Sequence, residues 1–272
     1  MSKIKATTNI CMIIGDPVEH SLSPKMHNNA YKHLGVEDKF VFVGSNIKKE
    51  NLKDAINAVR TLGIRGLTCT IPHKQEVIQY LDELDEIAKK IGAVNTVVNN
   101  NGILKGYNTD YFGIEIPLKK RTEIKDKKVA LIGAGGAAQA IAYVVEKEEG
   151  VLKIFNRTYE KALKTAKKFN AEARRMEDCK EILDCDIIIN STNIGMGKFE
   201  DQNPIPLELI QKNHIVFDII YKPKETALIK KAKQVGAEII YGYETLLHQA
   251  LVQFELYTNL KASEKSMLEV LI

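Results

Sequence analysis

The chain has 272 residues, 39 basic against 35 acidic for a formal net charge of +4, and 44% hydrophobic content. That length exceeds one typical domain and the apolar fraction can fill two cores, while the balanced charge carries no nucleic-acid or membrane signature and leaves small anionic ligands as the partners to expect. The N-terminus lacks an apolar signal core, and no apolar run approaches the roughly 18 residues that span a bilayer, so a cytoplasmic protein is expected.

Short β-rich runs alternate with amphipathic helical patterns: CMIIG, then Pro24 to Leu34, KFVFVG, Lys48 to Leu62, GIRGLTCT, and Gln75 to Ile91. This βαβ grammar predicts an α/β fold with a mainly parallel sheet. A β pair, AVNTVVN and GILKGYN, meets near Asn100 to Gly102, and a helix from Asp110 to Lys119 leads to a second unit. Along the way lie three polar clusters. In GDPVEHSLSPKMHN, Ser21 and Ser23 either bind ligand oxygens or cap the helix that Pro24 begins, and local signals favour capping. In GLTCTIPHK, Thr70 ends a strand and Lys74 follows the Pro72 turn. GAVNTV then contributes Asn95, and GYNTDYFG contributes Asp110, which suits either a helix cap or the orientation of a cation. His20 and His27 lie seven apart without a third ligand, and Cys11, Cys69, Cys179 and Cys185 show no paired spacing, so no metal site and no structural disulfide are expected.

The stretch from Val129 to Thr158 is the most informative. It reads as strand, glycine turn, helix, second strand and basic tip, the pattern of a Rossmann-type dinucleotide site. Gly133 permits the tight turn, Gly135 lets the backbone approach a pyrophosphate, and Ala138 fills the third small position; Ala134, Gly136 and Ala137 complete the turn. Where an NAD-selective site would place an acid, this chain has Asn156, Arg157 and Thr158, with Lys161 following. Cations there suit a ribose 2′-phosphate, so the expected cofactor is NADP. DIIIN, HIVFDI and AEIIY continue the second sheet, charge runs such as KKFNAEARR read as solvated faces, and after Gly242 a long helical pattern is expected to return to the first domain. The expected division is therefore residues 1–110 plus 243–272 against residues 111–242.

Taken together, the ordered motifs over about residues 10 to 260 closely resemble the shikimate dehydrogenase family. The resemblance implies that Lys74 and Asp110 are the catalytic pair, that Ser21, Ser23, Thr70, Asn95 and Gln249 cradle the substrate, and that Tyr221 faces it. It also implies that Ile219 and Gly242 flank the nicotinamide while Asn156, Arg157, Thr158 and Lys161 clamp the 2′-phosphate. Three positions depart from the family's usual residues: Thr68 for Asn, Tyr111 for Gly and Thr245 for Met. The implied activity is NADP-dependent, reversible reduction of 3-dehydroshikimate to shikimate in aromatic amino-acid biosynthesis, by a monomer or homodimer. A lysine is protonated at neutral pH, which suits Lys74 as the proton donor. The alternatives are an enzyme oxidising quinate as well, with broader cofactor use, and a non-catalytic NADP-binding sensor of the same fold.

Overall fold

The computed structural model describes residues 3–272, which divide into two compact units. The first runs to Thr109 and includes Leu247–Ile272; the second is Asp110–Leu246. Among the described residues no helix is long and apolar enough to cross a membrane.

In the first unit, β1 (Asn9–Gly15), α1 (Ser23–His33), β2 (Phe40–Asn46), α2 (Leu52–Thr61) and β3 (Gly66–Cys69) follow the predicted order. β4 (Glu83–Leu84), α3 (Glu86–Ile91), β5 (Thr96–Asn100) and β6 (Ile103–Tyr107) complete a sheet of order β2-β1-β3-β5-β6-β4. β1 runs parallel to β2 and β3, and β4 to β6, while β5 is antiparallel to both of its neighbours. On one face, Leu52, Ile56 and Val59 of α2, spaced to share one helix side, bury against Ile14, Leu67, Val97 and Leu104.

The segment from Gln75 to Ile91 is not the single helix that its periodicity predicts. A 3-10 turn over Glu76–Tyr80 stops at Leu81, β4 follows, and α3 starts afresh. The cause is Asp82. Its backbone N–H donates to Leu104 O (3.0 Å) and its carboxylate accepts from Leu104 N (2.7 Å) and Arg60 (2.6 Å), drawing the chain out beside β6. Asp85 then caps α3 by accepting from Ala88 N at 2.8 Å.

The second unit opens with α4 (Asp110–Lys119), followed by β7 (Lys128–Ile132), α5 (Gly136–Lys147), β8 (Val151–Phe155), α6 (Tyr159–Lys168) and β9 (Glu172–Arg174). It continues with β10 (Ile187–Asn190), β11 (Ile215–Asp218), α7 (Ala227–Val235) and β12 (Glu238–Ile240). The sheet, of order β12-β11-β10-β7-β8-β9, is parallel throughout. This is the doubly wound arrangement in which ligands bind outside the carboxyl ends of the strands. The run KKFNAEARR is more than a solvated face: Phe169 is buried and β9 is an edge strand on β8. Its backbone pairing leaves no apolar alternation, because Arg174 and Glu172 turn to ion pairs at the rim. Last come α8 (Gly242–Thr258), which begins in the second unit and ends in the first, and α9 (Glu264–Leu268).

Candidate active site

In the first unit, the predicted substrate residues gather where β1 and β3 end and β5 begins. The backbone sets this arrangement. Thr70 N donates to Ile14 O and Asp16 N to Ile71 O, both at 2.9 Å, which lays the loop after β1 against the loop after β3. Cys69 N donates to Asn95 O (2.8 Å), and Val94 N donates to Lys74 O (2.7 Å). Thr70, Lys74 and Asn95 are thus fixed through their main chains to one another's neighbours. Beneath them His73 is buried and its Nε2 donates to Ile47 O at 2.7 Å, pinning the loop that carries Lys74.

The serines behave differently from simple caps. Helix α1 begins at Ser23 itself, and the cap position is held by Leu22, which makes no side-chain capping bond. Ser21 Oγ accepts from Ser23 N at 3.3 Å, while Ser23 is 3% exposed. Pro24 is therefore the main helix starter, its fixed φ being helical and its missing N–H needing no partner. His27, one turn into α1, lies wholly buried, its ring stacked on Phe42 at 4.3 Å, and burial pulls its pKa down to about 3, keeping it neutral. It serves as an aromatic core residue.

Gln249 lies on α8, buried, with Gln253 and Tyr257 at successive four-residue steps along the same helix side. Neither of the latter two was singled out in the sequence, and both prove central to the polar interior. Gln253 Nε2 donates to Thr96 Oγ1 (2.9 Å), and Thr68 Oγ1 lies 2.9 Å from the Tyr257 hydroxyl. The departure at Thr68 is thereby accommodated: a short hydroxyl side chain meets a phenol and an amide from the returning helix. No local pattern signals this, since Thr96 and Gln253 are 157 residues apart.

The second unit holds the expected dinucleotide elements. Gly133 has φ of +108°, and a Cβ there would come within 2.6 Å of Ser191 Oγ, so the turn after β7 requires glycine. Gly135 occupies the N-cap of α5, and a Cβ on it would enter open space. A pyrophosphate could therefore approach the N-terminal N–H groups of this helix unobstructed, which is the fit that an NADP site needs. Ala138 is fully buried where α5 meets the sheet. At the tip of β8, Asn156 Nδ2 donates to Thr158 O (2.8 Å), shaping the turn that presents Arg157. Arg157 and Lys161 are exposed, and among the described residues neither is engaged in an ion pair. Two cations held out at the end of the second strand form an electropositive patch that suits a phosphate and repels no ligand carboxylate.

Ile219, Tyr221 and Gly242 come together at the end of β11. A Cβ on Gly242 would lie 2.3 Å from Ile220 O and 2.6 Å from the Ile219 carbonyl carbon, so only glycine lets α8 start against this loop. Tyr221 is half-buried and burial raises its pKa. The loop is anchored by Asp218, which the motif reading passed over although an acid ending an apolar strand is itself a signal. Its carboxylate accepts from Thr226 Oγ1 (2.7 Å), Asn190 Nδ2 (3.0 Å) and Ile220 N (3.1 Å). Burial nevertheless outweighs these bonds and pushes its pKa up to about 6. The other departures are also placed. Tyr111, buried, bonds Glu115 and Lys147 and so clamps α4 to α5, whereas Thr245 Oγ1 is buried without a partner among the described residues. Asp110 is the first residue of α4 and belongs to this unit.

Three family models match the chain: the shikimate dehydrogenase substrate binding domain over residues 13–97, shikimate / quinate 5-dehydrogenase over residues 115–225, and the shikimate 5′-dehydrogenase C-terminal domain over residues 242–272. Shikimate dehydrogenase (NADP+) of Methanosphaera stadtmanae is 44% identical, the alignment covering 97% of this chain and 96% of that one. A crystal structure of shikimate dehydrogenase in complex with NADP+ superposes with a TM-score of 0.90 at 40% identity, over 98% of this chain and 96% of that one. The enzyme of Thermus thermophilus, in complex with NADP(H) and shikimate, superposes with a TM-score of 0.89 at 30% identity, over 97% and 98%. The chain, with its polar cluster in one unit and its glycine turn and basic tip in the other, belongs to the shikimate dehydrogenase family.

Proposed function

We propose that this protein is an NADP-dependent oxidoreductase that reversibly reduces the 3-carbonyl of 3-dehydroshikimate to the hydroxyl of shikimate. The observation that carries the reading is likeness over both units at 44% identity, in a chain that has Ser21, Ser23, Thr70, Lys74, Asn95, Asp110 and Gln249 where the resemblance calls for them. NADPH, when bound, supplies the hydride to the carbonyl carbon. Gly133, Gly135 and the first turn of α5 hold its pyrophosphate, Arg157 and Lys161 its 2′-phosphate, and Ile219 and Gly242 border its nicotinamide. Ser21, Ser23, Thr70, Asn95, Tyr221 and Gln249 hold the substrate's hydroxyls and carboxylate. Lys74 gives its proton to the carbonyl oxygen as the hydride arrives, with Asp110 as the carboxylate member of the catalytic pair; in the oxidation the same nitrogen takes the proton back. The basic tip favours NADP over NAD, and the pair of serines favours shikimate over quinate. The enzyme acts in the cytoplasm, as a monomer or homodimer.

The test is nicotinamide absorbance with purified protein, crossing shikimate and quinate with NADP+ and NAD+. Turnover should be strongest for shikimate with NADP+. Faster turnover of quinate, or of NAD+, would replace the reading by that of a broader dehydrogenase, and NADP+ binding without any turnover would make the protein a sensor.

A further inference from the structure

The buried polar side chains of the first unit form a connected network of hydrogen bonds. Thr68, Thr96, Thr109, Gln253 and Tyr257 are each 5% exposed or less. Thr68 Oγ1 donates to Gln253 Oε1 at 3.4 Å, and a hydroxyl has one proton, so the 2.9 Å contact between Thr68 and Tyr257 runs from the phenol to Thr68. Gln253 is thereby held with its oxygen toward Thr68 and its nitrogen toward Thr96 Oγ1, at 2.9 Å. Thr96, accepting there, turns its own proton to Asn95 Oδ1 at 2.9 Å. Asn95 Oδ1 also accepts from Thr109 N at 2.7 Å and from Thr109 Oγ1 at 3.2 Å, and the two threonine hydroxyls, Thr96 and Thr109, lie 3.1 Å apart. The amide of Asn95 is consequently fixed with its oxygen in the network and its nitrogen as the donating end, which lies 3.0 Å from Thr109 Oγ1.

We infer that Gln253 is a positioning residue for substrate recognition, which acts through Thr96, alongside Thr109, to hold Asn95 as a hydrogen-bond donor to a substrate oxygen. The inference rests on the proposed function for Asn95's role as a substrate ligand. Gln253 touches no ligand. Its part is to set proton order: were its amide reversed, Thr96 would donate to it and have no proton left for Asn95 Oδ1, which would keep only its bonds from Thr109. Burial makes this order hard to evade, because each member lost strands another without a partner. The network also links substrate recognition to the anchoring of α8, since the same glutamine fastens that helix to β5.

The test is steady-state kinetics on wild type, Gln253→Met, Thr96→Val, Thr96→Ser, Asn95→Ala and the double variant Gln253→Met with Asn95→Ala. Gln253→Met and Thr96→Val should each raise the KM for shikimate roughly tenfold, the scale of one buried hydrogen bond, with the KM for NADP+ moving less than about twofold. Thr96→Ser, which keeps the hydroxyl, should stay within about threefold of wild type. In the Asn95→Ala background, Gln253→Met should add less than about twofold, because its target is gone. The same multiplication of KM in both backgrounds would overturn the inference, as would equal effects of valine and serine at position 96. If Gln253→Met does not fold, the valine and serine pair decides alone. An active wild type whose shikimate KM is unmoved by Asn95→Ala would also overturn it, whereas a wild type that turns over no shikimate refutes the functional reading itself.

Discussion

The two units build the elements proposed to bind ligands in opposite ways. The second places its proposed cofactor elements within about thirty consecutive residues: a turn, a helix N-terminus and a strand tip, with backbone groups as the main proposed ligands. The first draws its proposed substrate residues from segments scattered over the unit, including a helix that arrives from the far end of the chain, with side-chain amides and hydroxyls as the main proposed ligands. Recognition of a common phosphate group can be local and backbone-built. Recognition of one polyhydroxy acid among similar ones needs side chains fixed in three dimensions, and so depends on packing that long-range contacts supply.

Substitutions in the two regions should therefore fail differently. With Lys74 as the proposed proton donor, its replacement by Ala should cut turnover by about 10²- to 10⁴-fold, measured under saturating substrates. A loss below tenfold would break the assignment of the proton to this residue.

Asp218 offers the next largest effect, through pH. Its carboxyl is pushed from 3.8 up to about 6 in the folded protein. Below about pH 4 it is protonated folded and unfolded alike; between there and pH 6 the folded protein keeps a proton that the unfolded chain has lost, so this group's contribution falls as pH rises. The shift corresponds to about 3 kcal/mol. In urea melts from pH 4 to 7, Asp218→Asn should gain on wild type by about that amount as the pH rises. A difference between the two that stays constant with pH would show that Asp218 does not titrate in this window.

Gly242→Ala comes third, because the new methyl meets rigid backbone at 2.3 Å rather than a side chain that can move. A loss of about 2 to 3 kcal/mol in the same melts is expected. Smallest is Arg157→Ala, which should weaken NADP+ by about 1 to 3 kcal/mol and leave NAD+ nearly unchanged. Equal weakening of both would place Arg157 away from the 2′-phosphate.

The same contrast explains how far the sequence could be read. Gly133, Gly135, Arg157 and the alternation around them announce a dinucleotide fold because each residue's role follows from its neighbours in the chain. The helix predicted through Leu81 breaks because Asp82 finds Arg60 and Leu104, partners that no window around it contains. β9 escaped notice for a related reason: its identity lies in backbone pairing to β8 and not in its polar side chains. Ser21, Thr70, Lys74 and Asn95 could be named only through resemblance, since a serine before a proline or a lysine in a loop is locally ordinary. Gln253 and Thr96 carry no local signal at all, and their importance appears only once α8 is seen lying on β5.

The proposed roles make cofactor binding complete within the second unit and independent of Lys74 in the first. Calorimetric titration of NADP+ into wild type, Lys74→Ala and Arg157→Ala tests it most directly. Lys74→Ala should match wild type within about twofold while Arg157→Ala binds roughly 10- to 100-fold more weakly, as the loss of a charged hydrogen bond requires. Weakening of NADP+ by Lys74→Ala as large as that by Arg157→Ala would contradict the account.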